Sequence, residues 1–132
     1  MGVYNLRKDY KKGDVIITSP TQLSLKKLRK SGYMCAIVEK YNHFVKIRQD
    51  LFGFIDILAV HPNKKEILGI QACTDTGGHM SKHKMKVKNN KKLNIWLKSG
   101  GMFEIWAWAK KGKKGKRKLW VLRTAKLKVK NV

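Results

Sequence analysis

Positive charge constrains this chain more than any other feature. Thirty-one Lys and Arg residues stand against eight Asp and Glu over 132 positions, a formal net charge of +23. Such a field repels itself in a compact state. The fold must therefore spread its cations over the surface and build a core from what remains. What remains is sufficient, because 42% of the residues are hydrophobic and four Trp, four Tyr and four Phe are among them, unlike a chain disordered by its charge. The length fits one domain, 1–132, with little room for a second. Residues 1–19 read as an N-terminal segment and 110–118 as a basic hairpin loop.

The same excess selects a class of partner. A polyanion relieves the repulsion, and nucleic acid does so with a gain from counterion release. An anionic membrane or an acidic protein are the rivals. Membrane attachment asks for a basic amphipathic helix with a continuous apolar face, and neither end of the chain has that pattern. Arginine occurs only at Arg7, Arg29, Arg48, Arg117 and Arg123; the remaining cations are lysines, point charges suited to phosphate rather than to reading base edges. Cys35 and Cys73 lack any zinc-ligand spacing and read as reduced thiols of a cytosolic protein. No run approaches the ~18 apolar residues of a membrane span, and no signal-peptide core is present at the start. The expected compartment is the cytoplasm, that of the host cell if the chain is viral.

Local patterning predicts the element order α-β-β-β-α-β-β. Thr18-Ser19-Pro20 opens a helix over 20–31, which Ser31-Gly32 stops. Tyr33–Tyr41 is β-rich, and Asn42-His43 a turn. Leu51–Val60 reads as a strand apolar on both faces apart from Asp56. Glu66–Thr74 is the next strand. A basic helix runs from His79 to about Leu97, interrupted at Asn89-Asn90, and Met102–Ala109 and Leu119–Lys128 are the last strands.

The chemistry points to Asp56. Aspartate is disfavoured inside strands, and a buried unpaired carboxylate is costly, so Asp56 needs either a divalent metal or a nearby lysine. Strand parity places Gln71 and Cys73 on one face; if their strand adjoins that of Asp56, an amide oxygen and a carboxylate meet in a hard-oxygen site suited to Mg²⁺. Glu39 is a possible third ligand. Asp50 either caps a turn or serves the metal.

The run Leu51-Phe52-Gly53-Phe54-Ile55-Asp56-Ile57-Leu58-Ala59, followed by Leu68-Gly69-Ile70-Gln71-Ala72-Cys73-Thr74, resembles the core of the PD-(D/E)XK nuclease superfamily, in particular its small phage-type members related to archaeal Holliday junction resolvases. The element order and the later Trp96 to Gly101 segment fit over roughly residues 20–123. The resemblance implies an α/β, restriction-endonuclease-like core, a mixed sheet of about five strands flanked by two main helices. It implies a Mg²⁺- or Mn²⁺-dependent endonuclease acting on branched or duplex DNA, as a homodimer. Asp56 matches the first metal-binding acid, and Gln71 stands where the second acid is expected. Two positions depart from the pattern. Cys73 occupies the lysine position, which Lys82, Lys84 or Lys86 of the second helix would have to replace. The acid often found on the first helix is missing, with Glu39 and Asp50 as substitutes. These departures also fit a non-catalytic nucleic-acid-binding protein on a degenerate nuclease fold, and the size and lysine content fit an RNA- or ribosome-associated module.

For binding phosphate the sequence offers Lys82 and His83 on the second helix and Lys110, Lys111, Lys113, Lys114, Lys116, Arg117 and Lys118 in the basic loop. His79 and His83, four residues apart, have metal-ligand spacing, but their lysine-rich surroundings oppose a cation. Trp106 and Trp108 share a strand face and serve either to stack unpaired bases or to fill the core.

Overall fold

The structure, a computed structural model, describes residues 19–116 and 118–129. The segment 1–18 and Arg117 lie outside the described residues.

The first helix, α1 (Pro20–Lys30), starts where the sequence directs: the Ser19 hydroxyl accepts from the Gln22 amide at 3.1 Å and Pro20 occupies the first turn, where its missing N–H costs nothing. Gly32, at φ +90°, ends it. There follow β1 (Met34–Ile37), β2 (Lys40–Asn42), β3 (Ile47–Gln49), β4 (Ile57–Val60), β5 (Leu68–Thr74), α2 (His79–Lys88), α3 (Lys91–Lys98), β6 (Met102–Lys111) and β7 (Leu119–Leu127). Five strands form a mixed sheet in the order β1-β4-β5-β6-β7. Only β5 and β6 are parallel; the other pairs are antiparallel. Helices α2 and α3 make the crossover that a parallel pair requires. Strands β2 and β3 pair with each other in a separate hairpin.

Both sheet faces are covered. On one, Leu23, Leu25 and Leu28 of α1 pack against Ile57, Ile70, Trp106 and Trp108. On the other, Met80 and Val87 of α2 and Leu93 of α3 pack with Phe54, Ile55, Cys73, Phe103 and Ile105. Gly101 lets the Trp96 ring lie on the sheet, since a Cβ there would run into it, and a Cβ at Gly69 would run into Ile55. The Trp96 indole donates to the Met102 carbonyl at 2.9 Å.

Three expectations need correction. The expected interruption at Asn89-Asn90 is a full break, because the Asn90 side chain caps a new start by accepting from the Lys92 amide at 2.9 Å; the correction is to the helix count, three rather than two main helices. The stretch Tyr33–Tyr41 is not one strand but β1, a break and the start of the β2–β3 hairpin. Nor is Leu51–Val60 continuous. Its first half is a tight loop with Phe52 at φ +57° and Gly53 at φ +86°, closed by the Leu51 amide donating to the Ile55 carbonyl at 2.9 Å. The apolar pattern is satisfied there by burial of Phe54 and Ile55 in the helix-covered core, not by strand pairing. Trp106 and Trp108 are 7% and 6% exposed, and their indoles donate to Glu104 and Ser24. Both are core residues, out of reach of a stacking base.

Candidate metal centre

The end of the sheet where β1, β4 and β5 meet holds the polar residues of interest. Asp56 sits one residue before β4, and its backbone extends the pairing on both sides: its N–H donates to the Ile70 carbonyl and its carbonyl accepts from the Val38 N–H, each at 2.8 Å. Continuing the β4–β5 register, with Ile57 opposite Ile70, sets Asp56 opposite Gln71. The adjacency that strand parity required is therefore present. Glu39 lies just beyond β1, between β1 and β2, and Asp50 directly follows β3. One ligand oxygen from each of Glu39, Asp50 and Asp56 lies within 4.8 Å of the others. Three of the chain's eight acids thus converge at one point.

Each carboxylate is held differently. Asp56, 6% exposed, accepts from the Ala72 amide at 3.0 Å and has a carboxylate oxygen within 4.8 Å of one from Asp50. Asp50 accepts from the Gln71 side-chain amide at 3.2 Å, while its backbone carbonyl accepts from the Gly53 N–H at 3.0 Å. It therefore both closes the turn and faces the acid cluster. Glu39 accepts from the Arg48 guanidinium at 3.1 Å across the β2–β3 hairpin.

Burial, and then the neighbouring Asp50 and Glu39, push the Asp56 carboxyl up to about 8, against the pull of the Ala72 amide. Among the described residues no lysine or arginine forms an ion pair with Asp56, so the neighbouring-lysine alternative has no support in the packing. One further polar atom is unexplained: Gln71 Oε1 is buried and has no hydrogen-bond partner, on a side chain 4% exposed whose amide nitrogen already donates to Asp50. A buried unsatisfied oxygen costs about 1–3 kcal/mol. The three converging carboxylates could hold a metal ion, and a cation there would remove their repulsion; the unpartnered Gln71 oxygen belongs to the side chain that donates to one of them.

Cys73, two residues past Gln71, is buried and its thiol is pushed up to about 11 by burial and then by Asp75 and Asp56. It stays a neutral thiol and brings no positive charge. Lys82, Lys84 and Lys86 lie on α2; among the described residues, none has a hydrogen bond or ion pair to the cluster. Lys84 instead lines a groove of about 530 Å³ together with Lys88, Lys91, Lys126 and Lys128. His83 is the α2 side chain that feels Asp50: burial, then His79 and Lys86, lower its pKa, and Asp50 partly offsets them. His79 meets the Thr74 hydroxyl through Nδ1 at 3.0 Å, and the two imidazoles pack edge to face at 6.3 Å.

Sequence patterning missed one surrounding of the cluster. An open cleft of about 700 Å³ runs from the first turn of α1 past Glu39, Tyr41 and Arg48 to Ala72. Its cation, Arg48, is visible only once the hairpin folds. The expected basic loop is shorter than 110–118, because Lys110 and Lys111 end β6 and pair with Trp120 and Leu119 of β7; Lys110, Lys111, Lys113, Lys114, Lys116 and Lys118 are all exposed, and Lys110 Nζ sits 5.1 Å over the Trp120 ring.

Comparison with protein-family models, curated proteins and solved structures gave no match.

Proposed function

We propose that this protein is a metal-dependent endonuclease with a restriction-endonuclease-like fold, related to the PD-(D/E)XK nucleases, that hydrolyses DNA phosphodiester bonds and prefers branched substrates. The observation that carries the reading is the convergence of Glu39, Asp50 and Asp56 beside the orphaned Gln71 oxygen, on an otherwise strongly basic chain. A surface selected only to hold a polyanion has no use for three clustered carboxylates, which repel phosphate.

Glu39, Asp50, Asp56 and the Gln71 amide oxygen would hold Mg²⁺ or Mn²⁺. When bound, the ion supplies an activated water and screens the charge that develops on phosphate. The chain's own groups do the rest. Arg48, beside Glu39 in the cleft, offers donors to a phosphate oxygen. The first turn of α1 lines the same cleft with the positive end of the helix dipole. The exposed lysines of the β6–β7 loop bind flanking phosphates. In the reaction a water oxygen adds to phosphorus as one ester P–O bond breaks, giving an alcohol and a phosphomonoester. Cys73 cannot supply the cation that the resemblance places at its position. His83 on α2 does not replace it as a cation, because burial and the neighbouring His79 and Lys86 lower its pKa, so a lysine such as Lys84 or Lys86 would have to approach in the complex. A homodimer would suit a two-fold symmetric junction.

The neutral Cys73 favours one second reading, a non-catalytic DNA-binding protein on the same fold. A labelled four-way junction and its matched duplex, incubated with Mg²⁺ or with EDTA, decide between them. Cleavage that needs Mg²⁺ and falls at least about 100-fold in Asp56→Ala is expected, the loss typical of removing a charge-stabilising group. Tight binding with no cleavage by either form makes the binding reading the correct one.

A further inference from the structure

The β2–β3 hairpin grows directly out of the metal centre. Glu39 precedes β2 and Asp50 follows β3, so two of the three carboxylates are its roots. Between them, residues 40–49 are exposed except for the half-buried Asn42. At the tip the Asn42 side-chain oxygen accepts from the Phe44 and Val45 amides at 3.0 and 3.3 Å. Lys46 takes a left-handed conformation at φ +54°, and Asn42 pairs with Ile47 to close the turn. This order holds out the Phe44 ring, which is 99% exposed. Tyr41, Val45 and Ile47 around it are about half exposed. An apolar group of this size at the end of a projecting hairpin marks an interaction surface.

The charge around it indicates what covers it. Lys40, Lys46 and Arg48 flank the apolar residues, and no acid lies between residues 40 and 49. An apolar face ringed by cations complements stacked bases bordered by phosphates. The hairpin's length sets the distance. Phe44 lies five residues from Glu39 and six from Asp50, and at ~3.3 Å per strand residue the ring is roughly 15 Å from the carboxylates. That equals about four or five base steps at ~3.4 Å each.

We propose that Phe44 is a wedge: the β2–β3 hairpin inserts it between bases where stacking is already weak, at a branch or an unpaired step, and so sets the position of the metal centre a few nucleotides away. The inference rests on the nuclease reading only for its consequence in cleavage; the insertion itself needs only DNA binding. Aromatic wedges act by unstacking a step and stacking on the freed base. The hairpin therefore confers selectivity for DNA structure without reading sequence, in keeping with a lysine-rich surface.

The test is a four-way junction with 2-aminopurine next to the branch, and a duplex with the same probe, titrated with protein in EDTA so that no cleavage occurs. The wild type raises probe fluorescence on the junction; Phe44→Ala binds but does not; Phe44→Trp does. With Mg²⁺, Phe44→Ala loses the junction-over-duplex preference in cleavage, by on the order of 10-fold as expected for one stacked base. A fluorescence rise retained in Phe44→Ala overturns the wedge. So does a change from dimer to monomer on sedimentation of Phe44→Ala, which makes the tip an interface between copies. Cleavage by the wild type without any fluorescence rise leaves the nuclease standing and removes the wedge. A rise without cleavage does the reverse, and no binding to either DNA removes both.

Discussion

At the scale of single residues, the cluster at the end of the sheet gives Asp56 an unusual titration. Its carboxyl is raised from 3.8 to about 8, first by burial and then by Asp50. The folded chain thus binds a proton more tightly than the unfolded chain between about pH 4 and 8. With fewer protons bound in the unfolded state, stability from this group is fully present below about pH 4 and is lost as pH rises through about 8. Asp56→Asn keeps an oxygen for the Ala72 amide and removes the titration. In EDTA the variant should match the wild type near pH 4 and exceed it by about 3 kcal/mol near pH 8.5, the scale of an uncompensated buried charge. Urea midpoints at the two pH values measure this. Adding Mg²⁺ at pH 8.5 should stabilise the wild type alone, because binding to the folded state shifts the equilibrium. Equal midpoints at both pH values would mean that water screens Asp56. Gln71 completes the set: its amide nitrogen is used by Asp50 and its oxygen by nothing else in the fold.

At the scale of elements, the acid cluster depends on a loop that carries none of its carboxylates in its middle. Residues 51–55 turn back sharply, joining the root of the hairpin at Asp50 to the sheet at Asp56. Asn90 fixes that loop from outside. Its side-chain oxygen caps α3 through the Lys92 amide, and its nitrogen donates to the Phe52 carbonyl at 3.1 Å. Gly53 leaves room for it, since a Cβ there would lie 3.0 Å from the same amide nitrogen. Asn90→Ala should cost about 2 kcal/mol, about half for the cap and half for the bond to the loop. Asn90→Asp keeps the cap and should recover about half of the loss in denaturant midpoint. If both variants are destabilised equally, the cap contributes nothing; if Asn90→Asp matches the wild type, the bond to Phe52 contributes nothing. These couplings also explain why the loop has the sequence pattern of a strand. Phe52, Phe54, Ile55 and Ile57 are all apolar, but a run of apolar residues reports burial, not the pairing that satisfies its backbone.

For the whole molecule, the proposed binding to nucleic acid would rest on charge and its placement. Three of the eight acids draw together at one end of the sheet. Among the described residues, lysines line the β6–β7 loop and the groove beside α2, α3 and β7. Each lysine that no longer neutralises a phosphate lowers the slope of log K against log salt by about 0.9. Replacing Lys111, Lys113, Lys114 and Lys116 together by Gln should therefore flatten the slope for duplex DNA by about 3 to 4 units, read from fluorescence anisotropy at several salt concentrations. An unchanged slope would leave the loop as a solvated tip and shift the binding surface to the groove. No helix among the described residues is long and apolar enough to cross a membrane.

Whatever depends on local order was legible in the amino-acid sequence: where α1 starts, the break at Asn89-Asn90, the approximate boundaries of β5, β6 and β7, and the choice of Asp56 and Gln71 as a pair through strand parity. Those signals come from capping, alternation and turn residues, which act over a few positions. Tertiary packing settled the rest. It brought Glu39 and Asp50 to Asp56 from across 18 positions of sequence, turned Trp106 and Trp108 into core, left Phe44 as the exposed aromatic, and put Arg48 rather than a lysine beside the acids. Which side chain is buried and which faces solvent depends on which strands pair and which face a helix covers, and these are decided by residues far apart in the chain.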